Sequence, residues 1–199
     1  MNPTFYVMIL ATMTLGAIRG RNRVRIIAGK WRSRIVRFPA AAQLRPTPDR
    51  VRETLFNWLG QRLDGLSCLD LFAGSGALGF EALSRGAARV VMVESDRKVA
   101  EALRESAREL GAEGVEVVNA EAIAWLARAG ERFDVAFIDP PYATTLAQDA
   151  MRALPPRLNA GARVYAEADR PLELPPPWRA LREDRAGAVR YGLYELGTP

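Results

Sequence analysis

No histidine occurs anywhere in the 199 residues, and cysteine occurs once, as Cys68. The first absence removes Ser-His-Asp and Cys-His nucleophile pairs, so carboxylates, amides, hydroxyls and backbone groups must carry any chemistry. The second rules out an intramolecular disulfide, and together they leave no ligand set for a zinc cage. The expectation is a metal-free protein of a reducing, cytoplasmic compartment. Long apolar runs are also missing: the charge-free stretch Phe5 to Ile18 is too short to span a bilayer. It has no basic residue before it and no clear small-residue cleavage site behind it, which argues against export. Residues 1–22 are read as a leader, disordered or contributed by an upstream start codon, ahead of the folded part.

Acid is scarce in the N-terminal quarter. Before Glu53 there are eleven basic residues and one acid, Asp49, a local balance of +10 in a chain whose net charge is only +5, so the remainder sums to −5. Ten of the eleven are arginines, which suit bidentate phosphate contacts and stacking on bases. The plainer alternative is a solvated basic face. With 49% hydrophobic and 26% charged residues, the rest is ordinary for one globular domain.

Between Arg23 and Phe38, RVRIIAGKWRSRIVRF has two β-branched runs interrupted at Ala28-Gly29-Lys30, which predicts a β-hairpin with Gly29 and Lys30 in its turn. LRPTPDRVRETLFNWLG then predicts a loop and an amphipathic helix, capped by Thr47 or Asp49 and ending at Gly60. From Ser67 onward strands and helices alternate, as a parallel α/β sheet requires. Strands are predicted at 68–72, 90–93, 115–118, 135–138 and 163–168, with helices at 79–84, 98–110, 123–129 and 146–154 between them. A Pro-rich break at 175–177 precedes a strand pair near 178–185 and 189–196.

LDLFAGSGALG, residues 69–79, is a strand running straight into Gly74, Gly76 and Gly79. Such a loop turns tightly and approaches a ligand where a Cβ would collide, with a helix N-terminus behind it. It matches a dinucleotide fingerprint, and Glu94 at the end of the next strand is placed to accept bonds from ribose hydroxyls. Asp70 separates the two cofactor classes: an acid there suits the ammonium of S-adenosylmethionine and would repel a pyrophosphate. Asp70 as a strand-end or helix-capping residue is the alternative. Glu121 falls where an adenine-contacting acid is expected, and it also reads as an exposed helix-start glutamate.

Asp139-Pro140-Pro141-Tyr142 follows the apolar strand VAFI. Two prolines fix the backbone and remove donors, leaving carbonyls as acceptors, while Tyr142 offers an aromatic face. This is a slot for a flipped planar base bearing an amine. The amine's lone pair is delocalised into the ring, and acceptors on its N–H bonds, the Asp139 carboxylate and the Pro140 carbonyl, help localise it toward a methyl donor. Adenine's edge mixes a donor amine with the N1 acceptor, whereas guanine presents N1–H and the 2-amine side by side, so an acceptor-only carboxylate such as Asp139 fits guanine better than an amide would. Cys68, inside the first strand, reads as a buried structural residue rather than a nucleophile for C5-pyrimidine methylation.

The pieces RIIAGKWRSR, LRPTPDRVRETLFNWL, LDLFAGSGALGFEALSRGA and FIDPPY together resemble the RsmD family of bacterial 16S ribosomal RNA guanine-N2 methyltransferases, from about Arg23 to Leu196. The resemblance implies a Rossmann-like seven-stranded class I S-adenosylmethionine-dependent methyltransferase core with an N-terminal β-hairpin extension. It implies methylation of the 2-amine of guanine 966 in 16S ribosomal RNA, within the small subunit or its assembly intermediates, by a monomer without membrane partners. Carried onto this chain, the cofactor site is Asp70, Phe72, Ala73, Gly74, Ser75, Gly76, Gly79, Glu94, Ser95, Glu121 and Ala122. The catalytic motif is Asp139, Pro140, Pro141 and Tyr142. RNA contacts fall to Arg25, Lys30, Arg32, Arg34, Arg45, Arg50 and Arg52, with Arg50 or Arg52 alternatively pairing with Glu53 or the sheet. The expected organisation is a basic unit at 23–60 and a catalytic domain at 61–199. The sequence departs from the family at Asn119-Ala120-Glu121, where a glycine-aspartate pair is usual. Rival readings are a DNA adenine-N6 methyltransferase, a non-catalytic RNA-binding assembly factor and, more distantly, an NAD-dependent oxidoreductase.

Overall fold

The computed structural model describes residues 22–39, 47–174, 176 and 178–197. Residues 1–21 of the expected leader, Arg45 and most of the Pro-rich break lie outside these residues. Among them no helix is long and apolar enough to cross a membrane.

The first element pair is the hairpin β1 (Arg23–Arg25) and β2 (Ile35–Arg37), antiparallel with Val24 opposite Val36. Helix α1 (Asp49–Trp58) follows, then β3 (Ser67–Asp70), α2 (Ala77–Ser84), β4 (Arg89–Glu94), α3 (Arg97–Leu110), β5 (Val115–Asn119), α4 (Ala122–Arg128), β6 (Phe133–Ile138) and α5 (Leu146–Ala153). A short 3-10 turn leads into β7 (Leu158–Ala168), β8 (Trp178–Ala186) and β9 (Val189–Leu196). The main sheet has seven strands in the order β5-β4-β3-β6-β7-β9-β8, parallel from β5 to β7 and antiparallel at β9 and β8. This is the expected α/β architecture with its hairpin extension.

Side chains of the central strands alternate between two cores, one on each face of the sheet, as the period of two demands. Cys68, Val90, Met92, Val135 and Phe137 pack with α1, α2, α3 and the hairpin residues Val24, Ile26, Trp31 and Val36. Leu69, Val91, Val93, Ala136 and Ile138 pack with α4 and α5. The basic hairpin therefore shares a core with the sheet. Two details differ from the sequence reading. Neither Thr47 nor Asp49 caps α1: Pro48 holds the N-cap position with no side-chain bond, Thr47 is turned elsewhere, and Asp49 is the first helical residue. Strand β7 starts five residues earlier than expected, because Leu158 already pairs with Phe133 of β6, and the unpatterned Asn159-Ala160-Gly161, with Gly161 at φ +75°, bulges between that rung and the next, Arg163 with Val135.

Candidate active site

The chain leaves the sheet in opposite directions from β3 and from β6, which lie side by side, and a crevice opens at their carboxyl ends. A cavity of about 670 Å³ fills it. Asp70 ends β3 and Asp139 immediately follows β6, so the two sequence motifs, far apart along the chain, form facing walls of one space.

The glycine loop forms one wall. Phe72, Ala73, Gly74 and Ser75 line the cavity, as do Glu94, Ser95, Glu121 and Ala122. Gly74 and Gly76 both have positive φ, +49° and +74°. Gly76 and Gly79, expected at the cofactor, do not line the cavity. A Cβ on Gly76 would meet Phe80 of α2 and Leu103 of α3, and one on Gly79 would meet Met92 of β4 at 2.4 Å, so Gly76 permits close helix–helix packing and Gly79 close packing of α2 on the sheet. Asp70 is buried and its Oδ2 accepts the Gly79 N–H at 2.9 Å, tying β3 to the first turn of α2. Burial pushes its carboxyl up to about 7, opposed by the Gly79 bond and assisted by the nearby Asp139 and Glu94. Glu94 accepts the Gly74 N–H at 2.9 Å and the Asp96 N–H at 2.8 Å, which holds the loop against the end of β4. The Asn119 amide, at the site of the family departure, donates to the Glu94 and Ser95 carbonyls, leaving Glu121 exposed at the mouth.

The other wall is Asp139 to Tyr142, with Tyr142 49% exposed. Burial pushes the Asp139 carboxyl up to about 6, while a hydrogen bond from Thr47 Oγ1 to its Oδ2 at 2.8 Å acts in the opposite sense. Thr47, read from sequence as a helix cap, instead lines the cavity. Only its place in the RPTPDR segment hinted at a role; the contact spans 92 positions. Cys68 is buried and lies outside the cavity lining, and burial pushes its thiol up to about 12. That is a structural cysteine.

Five carboxylates, Asp70, Glu94, Asp96, Glu121 and Asp139, line this cavity, and no Lys or Arg does among the described residues. A sulfonium with an ammonium tail fits such a wall; a pyrophosphate would meet only repulsion there.

Of the arginine-rich segment, Arg25, Lys30, Arg32, Arg34 and Arg50 are exposed. Arg25 pairs with Asp49, Arg34 donates to the Glu109 carbonyl, and Lys30 lies 5.6 Å from the Trp31 ring. Arg52 corrects the expectation of an RNA contact, since it is completely buried. It pairs with Asp49 and Glu81 and donates to the Arg25 carbonyl, so it faces the protein interior and not Glu53. Glu81 is the hub of this contact, also accepting the Ile27 and Ala28 N–H groups and Arg85.

The family model described as Conserved hypothetical protein 95 matches residues 24–195. Ribosomal RNA small subunit methyltransferase D of Escherichia coli is 42% identical over 181 residues, covering 88% of this chain and 91% of that one. The protein of the same name from Haemophilus influenzae is 43% identical over 183 residues, covering 88% and 95%. The solved structure of the Escherichia coli methyltransferase yhhF superposes with a TM-score of 0.82 at 42% identity, over 89% of this chain and 99% of that one.

Proposed function

The chain belongs to the Conserved hypothetical protein 95 family, the RsmD family its motifs resemble, and from that premise we propose that it is an S-adenosylmethionine-dependent ribosomal RNA methyltransferase acting on the 2-amine of guanine 966 in 16S ribosomal RNA. Its curated relatives are named as small-subunit ribosomal RNA methyltransferases. The observation that carries the finer reading is the acid-lined cavity with the Asp139-Pro140-Pro141-Tyr142 turn across from the glycine loop.

Within that reading, Asp70 and the loop backbone hold the amino-acid end of the cofactor, and Glu94 accepts from the ribose. When bound, S-adenosylmethionine supplies a methyl on a sulfonium, which leaves as a neutral thioether as the carbon–sulfur bond gives way to a carbon–nitrogen bond. Asp139 accepts the amine through Oδ1, the oxygen that Thr47 does not engage, and takes the proton that the nitrogen releases. The Pro140 carbonyl holds the second N–H, and Tyr142 stacks on the base. Fixing the amine in line supplies most of the rate, so no strong base is needed. The base must be flipped or already exposed, since a stacked amine cannot reach the cavity. Arg25, Lys30, Arg32, Arg34, Arg45 and Arg50 contact the RNA backbone, and the enzyme works as a cytoplasmic monomer on small subunits or their assembly intermediates.

The test is transfer of labelled methyl from S-adenosylmethionine to small subunits lacking the modification, with naked ribosomal RNA and DNA alongside and nucleoside analysis of the products. N2-methylguanosine in the subunits, lost in Asp139→Ala, is the expected result. N6-methyladenine in DNA would move the assignment to the adenine enzyme. Tight cofactor binding without transfer to any substrate would remove the catalytic reading.

A further inference from the structure

A second cavity, of about 310 Å³, shares the Pro140-Pro141-Tyr142 turn with the first. Glu167, from the end of β7, is part of its wall and is only 3% exposed. Strands β6 and β7 pair in parallel with Ile138 beside Ala166, so the next rung along sets Asp139 beside Glu167. Tyr165 Oη donates to the Glu167 Oε1 at 2.6 Å. Among the described residues Glu167 forms no ion pair. A buried carboxyl beside a second carboxylate, with no cation to neutralise it, cannot share full ionisation with its neighbour.

We propose that Glu167 is a base-holding residue of the target slot, working as a neutral carboxylic acid that donates a hydrogen bond to an acceptor atom of the base whose amine Asp139 holds. The inference rests on the methyltransferase reading and adds to it a donor next to an acceptor on adjacent strand ends. Oε1 is occupied by Tyr165, which leaves Oε2–H as the group that can donate. An acid that stays protonated at neutral pH can donate where an ordinary glutamate can only accept.

The charge environment agrees with this. Burial and the Asp139 charge push Glu167 up to about 8, with the Tyr165 bond opposing them, while Asp139 ionises earlier, at about 6. Tyr191 faces Glu167 across the β7–β9 pairing. Arg152 and Asp149 on α5, and Asp169, Arg170 and Glu173 after β7, border the same cavity. At neutral pH the pair therefore carries one proton, on Glu167, with Asp139 free to accept.

The measurement is the pH dependence of kcat/KM for methyl transfer to ribosomal RNA by wild type, Glu167→Gln, Glu167→Ala and Tyr165→Phe, each checked for folding by thermal melting. Wild type is expected to rise through about pH 6 and fall through about pH 8. Glu167→Ala loses about tenfold or more at neutral pH, the cost of an unmet acceptor on the base. Glu167→Gln keeps an N–H donor in place, restores most of that loss and abolishes the fall near pH 8 while leaving the rise near pH 6. Tyr165→Phe moves the alkaline fall upward, because it removes the bond that lowers Glu167. A folded Glu167→Ala as active as wild type overturns the proposal, as does a Glu167→Gln no better than Ala, or an alkaline fall that survives in Glu167→Gln. Absence of transfer by the wild type under every condition overturns the methyltransferase reading itself, and the slot with it.

Discussion

Glutamate 81 holds the arginine-rich hairpin on the catalytic sheet, and replacing it with glutamine isolates that function without changing volume. Four donors converge on its two oxygens: the Ile27 N–H at 2.7 Å, the Ala28 N–H at 3.0 Å, Arg85 Nε at 2.7 Å and Arg52 Nη1 at 3.5 Å. The side chain is completely buried, as is that of Arg52. Glutamine offers one acceptor oxygen and an amide that must itself donate, so at least two of the four donors lose their partner. Arg52 also keeps only Asp49, a half-exposed carboxylate, for its charge. Removing one member of a buried pair costs about 3–5 kcal/mol, which for a domain of this size lowers the melting temperature by roughly 6–20 °C. Part of the loss appears locally, since the Ile27 and Ala28 amides then exchange hydrogen much faster than those of β3 and β6. RNA affinity is expected to fall because the basic face is no longer fixed, while S-adenosylmethionine affinity is expected to change less, since Glu81 is absent from the cavity lining. Thermal melts, hydrogen exchange and separate titrations with RNA and cofactor read the three effects. A Glu81→Gln protein with unchanged melting temperature and unchanged protection at Ile27 and Ala28 would refute the hub.

Asp139→Asn is expected to lose methyl transfer by about a hundredfold or more with cofactor affinity nearly intact, measured by single-turnover kinetics and calorimetry. Asp70→Asn removes the buried charge from the cofactor wall and weakens S-adenosylmethionine binding by at least about tenfold. Asp70, Asp139 and Glu167 are all raised, to about 7, about 6 and about 8, so the folded state holds their protons more tightly than the unfolded chain does. Their stabilisation is present below the ordinary carboxylate range and is lost as pH rises through those values, so the melting temperature of the ligand-free protein falls between about pH 4 and pH 8. Asp70→Asn flattens that fall, and a melting temperature that climbs steadily over the same window contradicts the assignment. For the basic face, Lys30→Ala and Arg32→Ala are each expected to weaken RNA binding uniformly across sequences and reduce the salt dependence of affinity by roughly one in the log–log slope. A variant that loses affinity without changing the slope identifies a packing residue instead.

Much of the fold was legible because its signals are local. The continuous apolar runs of β4 and β6, the 3.6-residue spacing of α3 and the glycines after β3 each act over a few residues, and the observed elements follow them. The early start of β7 was not legible, because Asn159-Ala160-Gly161 carries no strand pattern and the strand begins before it only through the pairing of Leu158 with Phe133. In the site, the sequence pointed to Asp70, Glu94 and the Asp139 turn, since strand-end acids and rigid prolines carry their geometry with them. It grouped Gly76 and Gly79 with the ligand residues, and the structure sets both outside the cavity lining, close against Phe80, Leu103 and Met92.

By itself, then, the sequence determined which chemistry the chain carries: a glycine loop with an acid before it, a rigid acceptor turn with an aromatic, and a band of arginine, all set by residue type and short-range backbone geometry. Only the tertiary structure decided which members of those sets face the cavity, the solvent or the core. Thr47 reaches Asp139, Arg52 turns inward to Glu81, and Glu167 comes to lie beside Asp139. Each of those outcomes depends on burial and on pairing between elements distant in the chain, and the free energies of both are fixed by which surfaces meet rather than by the residues on either side in sequence.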